Sequence, residues 1–100
     1  MSETVVIMGL DVSVHFQPIS EPGEELLFGF WTQGPVPSIT INSSCSEAIQ
    51  ARTIIHEVLE AINDLNGIGL SEEQIRALET GLADTVGRNK DFFAKWVARV

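Results

Sequence analysis

Apolar and polar residues repeat along this chain with two different periods, and the change between them divides it. Leu10, Val12, Val14 and Phe16 alternate with Asp11, Ser13, His15 and Gln17, the period of a strand with one apolar and one wet face. Thr4 to Met8 precedes it as a β-rich run that Gly9 can turn. Glu21-Pro22-Gly23-Glu24 is a turn by composition, because Pro presets one φ and Gly is free to take a positive one. Leu26 to Trp31 reads as a compact strand in which Gly29 marks a bulge or a close approach of backbone. Gln33-Gly34-Pro35 turns again, and Ile39 and Ile41 alternate in a last short strand ending at Asn42, with Pro37 suited to an edge or the strand's start.

Beyond Asn42 the period becomes 3.6. Ser44-Cys45-Ser46-Glu47 has the form of a capping box, and Asn66-Gly67 is a C-terminal stop, so a long helix is predicted from about Cys45 to Leu65. Ala48, Ala51, Ile54, Ile55, Val58, Leu59, Ile62 and Leu65 form its apolar stripe. Ser71-Glu72-Glu73-Gln74 is a second capping box, opening a helix that carries Ile75, Leu78, Leu82 and Val86 and closes at Gly87. Asn89 is placed to cap a short third helix, with Phe92, Phe93, Trp96, Val97 and Val100 on one side and Lys90, Lys95 and Arg99 on the other. That apolar side is expected to pack into the core. The pattern predicts a single α+β domain: an antiparallel sheet of three to four strands from residues 1–42, packed through Ile54, Val58 and Ile62 on the long helix, with two further helices within residues 43–100.

A chain of 100 residues has room for one modest core. Charges or Gly interrupt every apolar run well short of the roughly 18 residues of a membrane span, and Met-Ser-Glu-Thr lacks the features of a signal peptide, so a soluble cytoplasmic protein without membrane attachment is expected. Cys45 is the single cysteine, which rules out an internal disulfide and a cysteine-built zinc cluster. Residues 1–50 carry six acidic and no basic side chains, against eight acidic and six basic in residues 51–100. Direct binding of nucleic acid is thereby disfavoured, and a protein partner with a basic surface, meeting Glu21, Glu24 and Glu25, is favoured. A homodimer is left open.

The chemistry-bearing stretch is Arg52-Thr-Ile-Ile-His56-Glu57-Val-Leu-Glu60-Ala-Ile-Asn63. On a helix His56 and Glu60 stand one turn apart on one face with Glu57 beside them, the layout of a zinc-peptidase HExxH whose second His is replaced by Glu. The plain alternative is that His56, Glu57, Glu60, Asn63 and Asp64 form the solvated side of the helix, opposite its apolar stripe. His15 falls on the wet face of its strand, where an exposed histidine needs no further explanation. Cys45 sits in the first helical turn, about three turns from His56, too far for a direct pair.

Taken with Ile39-Thr-Ile-Asn-Ser, Gly69-Leu-Ser-Glu72-Glu-Gln-Ile75 and Gly81-Leu-Ala, this stretch resembles the small zincin-like proteins of bacteriophages and prophages over roughly residues 35 to 93. The resemblance implies a short sheet before an HExxH or HExxE helix, and a second helix that begins with a polar residue near the metal. Carried over, it makes His56, Glu60 and Glu72 metal ligands and Glu57 the general base, with zinc or manganese as the ion. One imidazole and two carboxylates suit manganese or magnesium better than zinc. Because the departures from HExxH fall on ligand positions, the expected role is protein binding, as an inhibitor of a host defence or nucleic-acid-handling complex; the alternative is a metal-dependent, peptidase-like hydrolase using the HExxE site.

Overall fold

The computed structural model describes residues 2–19 and 27–100. Four strands, β1 (Ser2–Ile7), β2 (Leu10–Gln17), β3 (Gly29–Thr32) and β4 (Ser38–Asn42), precede three helices, α1 (Glu47–Asn66), α2 (Glu72–Arg88) and α3 (Lys90–Val97). β1 and β2 form a hairpin in which Ile7 pairs with Leu10. Its two loop residues, Met8 and Gly9, have φ of 51° and 77°. Positive φ at both positions is what a two-residue loop needs to follow the strands' right-handed twist.

The α+β architecture is the expected one, but the sheet is mixed rather than wholly antiparallel. Strand order is β1-β2-β4-β3. β4 therefore lies between β2, to which it is parallel, and β3, to which it is antiparallel. The physical reason is burial: Ile39 and Ile41 of β4 are 1% and 0% exposed, so β4 takes the centre. The shorter β3, with its glycine and a more exposed pattern, is left at the edge. A Cβ on Gly29 would stand 2.6 Å from the carbonyl oxygen of Thr40 and 2.8 Å from the methyl of Thr53, so Gly29 is a close approach of backbone and not a bulge.

Ile7, Val12, Val14, Ile39, Ile41 and Ala61 form the core, against which Ile54, Val58, Ile62 and Leu65 of α1 pack, as expected. Ala48 and Ala51 are exposed, and Ile55 and Leu59 are half-buried. The face that α1 turns inward is rotated from the predicted stripe toward Thr53, Glu57 and Ala61, all buried. α1 also starts later than expected. Ser44 belongs to the turn, its N–H donating to Asn42 Oδ1 at 3.0 Å, and the N-cap is Ser46, whose Oγ accepts from Ile49 N at 3.3 Å. At the other end Gly67, with φ of 60°, closes a Schellman motif: its N–H donates to Asp64 O, and that of Ile68 donates to Asn63 O.

α2 begins at the predicted capping box of Ser71 and Gln74. α3 departs from expectation, because none of its residues is buried and Phe92, Trp96 and Val97 are exposed. Asn89 does not cap α3 with its side chain; its Nδ2 donates back to Thr85 O of α2 at 2.8 Å. Among the described residues no helix is long and apolar enough to cross a membrane.

Asn42 joins the two halves. Fully buried, it accepts from Ile19 N at 3.2 Å and from Ser44 N at 3.0 Å, and donates to Ile19 O at 3.2 Å and Leu27 O at 2.9 Å. One amide thus fixes the chain on both sides of residues 20–26 and starts the turn into α1. Replacing it by Ala leaves buried peptide groups unpaired, so Asn42→Ala is expected to cost about 2–4 kcal/mol in urea unfolding. A loss below about 0.5 kcal/mol would show that this latch is dispensable.

Candidate metal centre

α1 is the floor of a cleft whose walls are β3 on one side and α2 on the other. Its volume is about 840 Å³, and its lining includes Phe28, Phe30 and Trp31 from the β3 side, Thr53, His56, Glu57, Glu60 and Asp64 from α1, and Glu72, Arg76 and Glu79 from α2. Two anchors set the walls. Trp31 Nε1 donates to Asp64 Oδ2 at 2.8 Å, tying the edge strand to α1. Asn63, expected in solvent, is buried; its Oδ1 accepts from Leu70 N at 2.8 Å and its Nδ2 donates to Leu70 O at 3.4 Å. That pair fixes the loop between the helices, and with it the register that carries Glu72 to His56.

Helical spacing does the rest. His56 and Glu60 are four residues apart on α1, and Glu72 and Glu79 are seven apart on α2, so each pair shares a face. His56 Nε2 lies 3.0 Å from Glu72 Oε1 and 3.5 Å from Glu60 Oε1, while Nδ1 lies 2.9 Å from Glu79 Oε1. One atom each from His56, Glu60 and Glu72 falls within 4.8 Å of the other two. The three residues read as ligands in the sequence are brought together. Glu57 stands beside them in the cleft, only 7% exposed, which corrects its placement on a solvated face. Glu21, Glu24 and Glu25 lie outside the described residues.

Sequence reasoning missed Glu79 and Arg52. Glu79 contacts both His56 Nδ1 and Arg52, whose NH2 nitrogen is 3.0 Å from Oε2 and also donates to Thr80 Oγ1 at 3.1 Å. The signal was present: Arg52 is one helical turn before His56, and Glu79 is two turns after Glu72.

No family model, curated protein or solved structure matches this chain. What the cleft can do is therefore argued from its own groups.

Crowding of carboxyl groups sets the electrostatics. Burial, a shared hydrogen bond with Glu72 and the Glu72 charge push the Glu60 carboxyl up to about 7. Burial likewise raises Glu57. Glu72 is lowered, chiefly by the hydrogen bond from Glu60. Burial alone would lower His56, but the Glu79 hydrogen bond and the carboxylates of Glu57, Glu72 and Glu79 outweigh it, and His56 is raised. With two carboxylates and one imidazole converging, the centre needs positive charge, from protons or from a cation.

The pH dependence of stability follows. His56, Glu57 and Glu60 all bind protons more tightly folded than unfolded, so their contribution is full below their unfolded values and is lost as pH rises through the folded ones. Glu72 acts oppositely, and its contribution is lost as pH falls below the carboxylate range. Without added metal, Tm is expected to be highest near about pH 5 and to fall toward about pH 8. A Tm that rises across that interval in calorimetry would contradict this arrangement of charges.

Proposed function

We propose that this protein binds a divalent cation through His56 Nε2, Glu60 and Glu72 and acts as a metal-dependent hydrolase on a peptide-like substrate lying in the cleft. The observation that carries the reading is the convergence of these three side chains within 4.8 Å, beside the buried Glu57. The donor set fits a cation: one imidazole nitrogen and two carboxylate oxygens come from two helices, and the burial and neighbouring charge that push the Glu60 carboxyl up to about 7 are what an ion's charge would offset. Manganese or zinc is the natural probe. When bound, such an ion supplies Lewis acidity at the mouth of the cleft.

The chain's own residues supply the remainder. Glu57, raised by burial, accepts a proton near neutral pH more readily than an exposed carboxylate does. Phe28, Phe30 and Trp31 offer an apolar wall to a substrate side chain, and beside them β3 is an edge strand among the described residues, the position at which an extended ligand can add. Titration calorimetry with manganese and zinc tests the reading. One ion per chain is expected, with a rise in Tm, because a ligand bound only by the folded state stabilises it. His56→Ala should abolish both effects, whereas Glu57→Gln should keep the binding and remove any hydrolysis. No binding of either ion overturns the proposal.

A different observation favours a second reading, action by protein binding. Leu78, Leu82, Val86, Phe92, Trp96 and Val97 are all exposed along α2 and α3, apolar side chains that a partner surface would cover. The simplest partner is a second copy. In sedimentation velocity over a concentration series, the wild type is expected to gain mass and Phe92→Ser/Trp96→Ser to stay monomeric. A wild type that is monomeric throughout removes the second copy as partner.

A further inference from the structure

We propose that Glu79 is the positioning residue of this centre: braced by Arg52, it holds the proton of His56 on Nδ1 and so leaves Nε2 as the nitrogen that meets the cation. The inference rests on the reading of His56, Glu60 and Glu72 as a cation site. Both ring nitrogens meet a carboxylate oxygen, Nδ1 at 2.9 Å from Glu79 and Nε2 at 3.0 Å from Glu72. Glu79 is the less exposed of the two (17% against 54%) and the one held by Arg52, so in the neutral ring Nδ1 is the nitrogen that keeps its proton as donor. The opposite edge of the ring then carries the free lone pair once His56 is neutral, and that edge faces Glu60 and Glu72.

Glu79 has little freedom to do anything else. Its side chain is 17% exposed, and its second oxygen, Oε2, is held 3.0 Å from Arg52, whose guanidinium is anchored in turn on Thr80 Oγ1 at 3.1 Å. Arg52 sits one turn before His56 on α1, and Glu79 two turns after Glu72 on α2, so each helix contributes both a ligand and a member of the supporting pair. A carboxylate behind a ligating histidine fixes the tautomer and ring orientation and increases ligand basicity. Glu79 fills that place, although only Glu72 of the acidic residues on α2 bears on the ligand positions of an HExxE motif.

The test uses full-length protein in a His15→Gln background, so that a single imidazole is observed, and zinc as the probe. Zinc affinity is measured by competition with a chromophoric chelator, and the tautomer of His56 by long-range proton–nitrogen NMR, both with zinc and zinc-free at about pH 9, where an imidazole is neutral. The Nδ1–H form is expected in the parent. Glu79→Gln keeps an acceptor oxygen but not the charge, and should retain the tautomer while binding zinc roughly 10-fold more weakly. Glu79→Leu should give mixed tautomers and roughly 100-fold weaker binding. If Glu79→Leu does not fold, the affinity and tautomer of Glu79→Gln decide. A parent with its proton on Nε2, or a Glu79 variant with unchanged affinity and tautomer, overturns the inference. A parent that binds no zinc but shows the Nδ1–H form, lost in Glu79→Leu, overturns the cation reading alone.

Discussion

The grip of α2 on both ring nitrogens of His56 is the constraint around which the C-terminal half is arranged. Glu72 holds one nitrogen and Glu79 the other, so α2 meets α1 through one imidazole between two carboxylates. Apolar packing between these helices is slight by comparison, since Ile75 is the one residue of α2 that is buried. The other supports of the pair are polar as well: Asn63 on the loop at Leu70, and Arg52 on Glu79 and Thr80. Without His56 the second wall of the cleft is left to the Asn63 and Arg52 anchors.

A polar helix interface of this kind is not what stability alone would select. Replacing an ion-pair network by well-packed apolar side chains is often neutral or stabilising, because the charges no longer have to leave water. α2 possesses the side chains for such packing in Leu78, Leu82 and Val86, yet these are exposed while Glu72 and Glu79 face α1. Local rules are obeyed elsewhere in the chain, from the capping box at Ser71 to the left-handed Gly67. Together with the exposed apolar face of α2 and α3, this cluster is where the chain departs from the local rules, which supports the proposal that it is a site.

The same contrast explains what could be read from the sequence. Strands, helices and the Gly67 stop were legible because each is encoded locally, by period and by the residues at its ends, whereas Gly87, expected to close the second helix, lies inside α2, which runs to Arg88. Strand order was not. Whether β4 lies beside β2 or at the edge depends on how Ile39 and Ile41 are buried from both sides, a property of the assembled sheet that no window of the chain contains. The trio His56, Glu60 and Glu72 was legible from spacing and resemblance, and its members do converge. Glu57 and Asn63 were misplaced because a helical wheel assigns polar residues to water. It cannot register that a strand edge and a second helix will close over that side. Phe92 and Trp96 misled in the opposite direction: an apolar face was taken to imply a core, and α3 lies outside it.

Charge balance joins the fold to its chemistry. The cleft is lined by Glu57, Glu60, Asp64, Glu72 and Glu79 against Arg52 and Arg76, so with His56 neutral five carboxylates face two guanidinium groups and an excess of three negative charges remains. Screening by solvent is weakest where Glu57 and His56 lie, and the surrounding chain, at a net charge of -8, offers no relief. In the absence of an ion the excess favours protonation: burial, the hydrogen bond with Glu72 and the Glu72 charge push the Glu60 carboxyl up to about 7. A dication placed among the same atoms would offset two of those charges and displace protons from its ligands. Stability and ion affinity thus draw on one set of carboxylates with opposite dependence on pH: what the protons contribute to the empty cleft falls away as pH rises, and what a cation contributes grows.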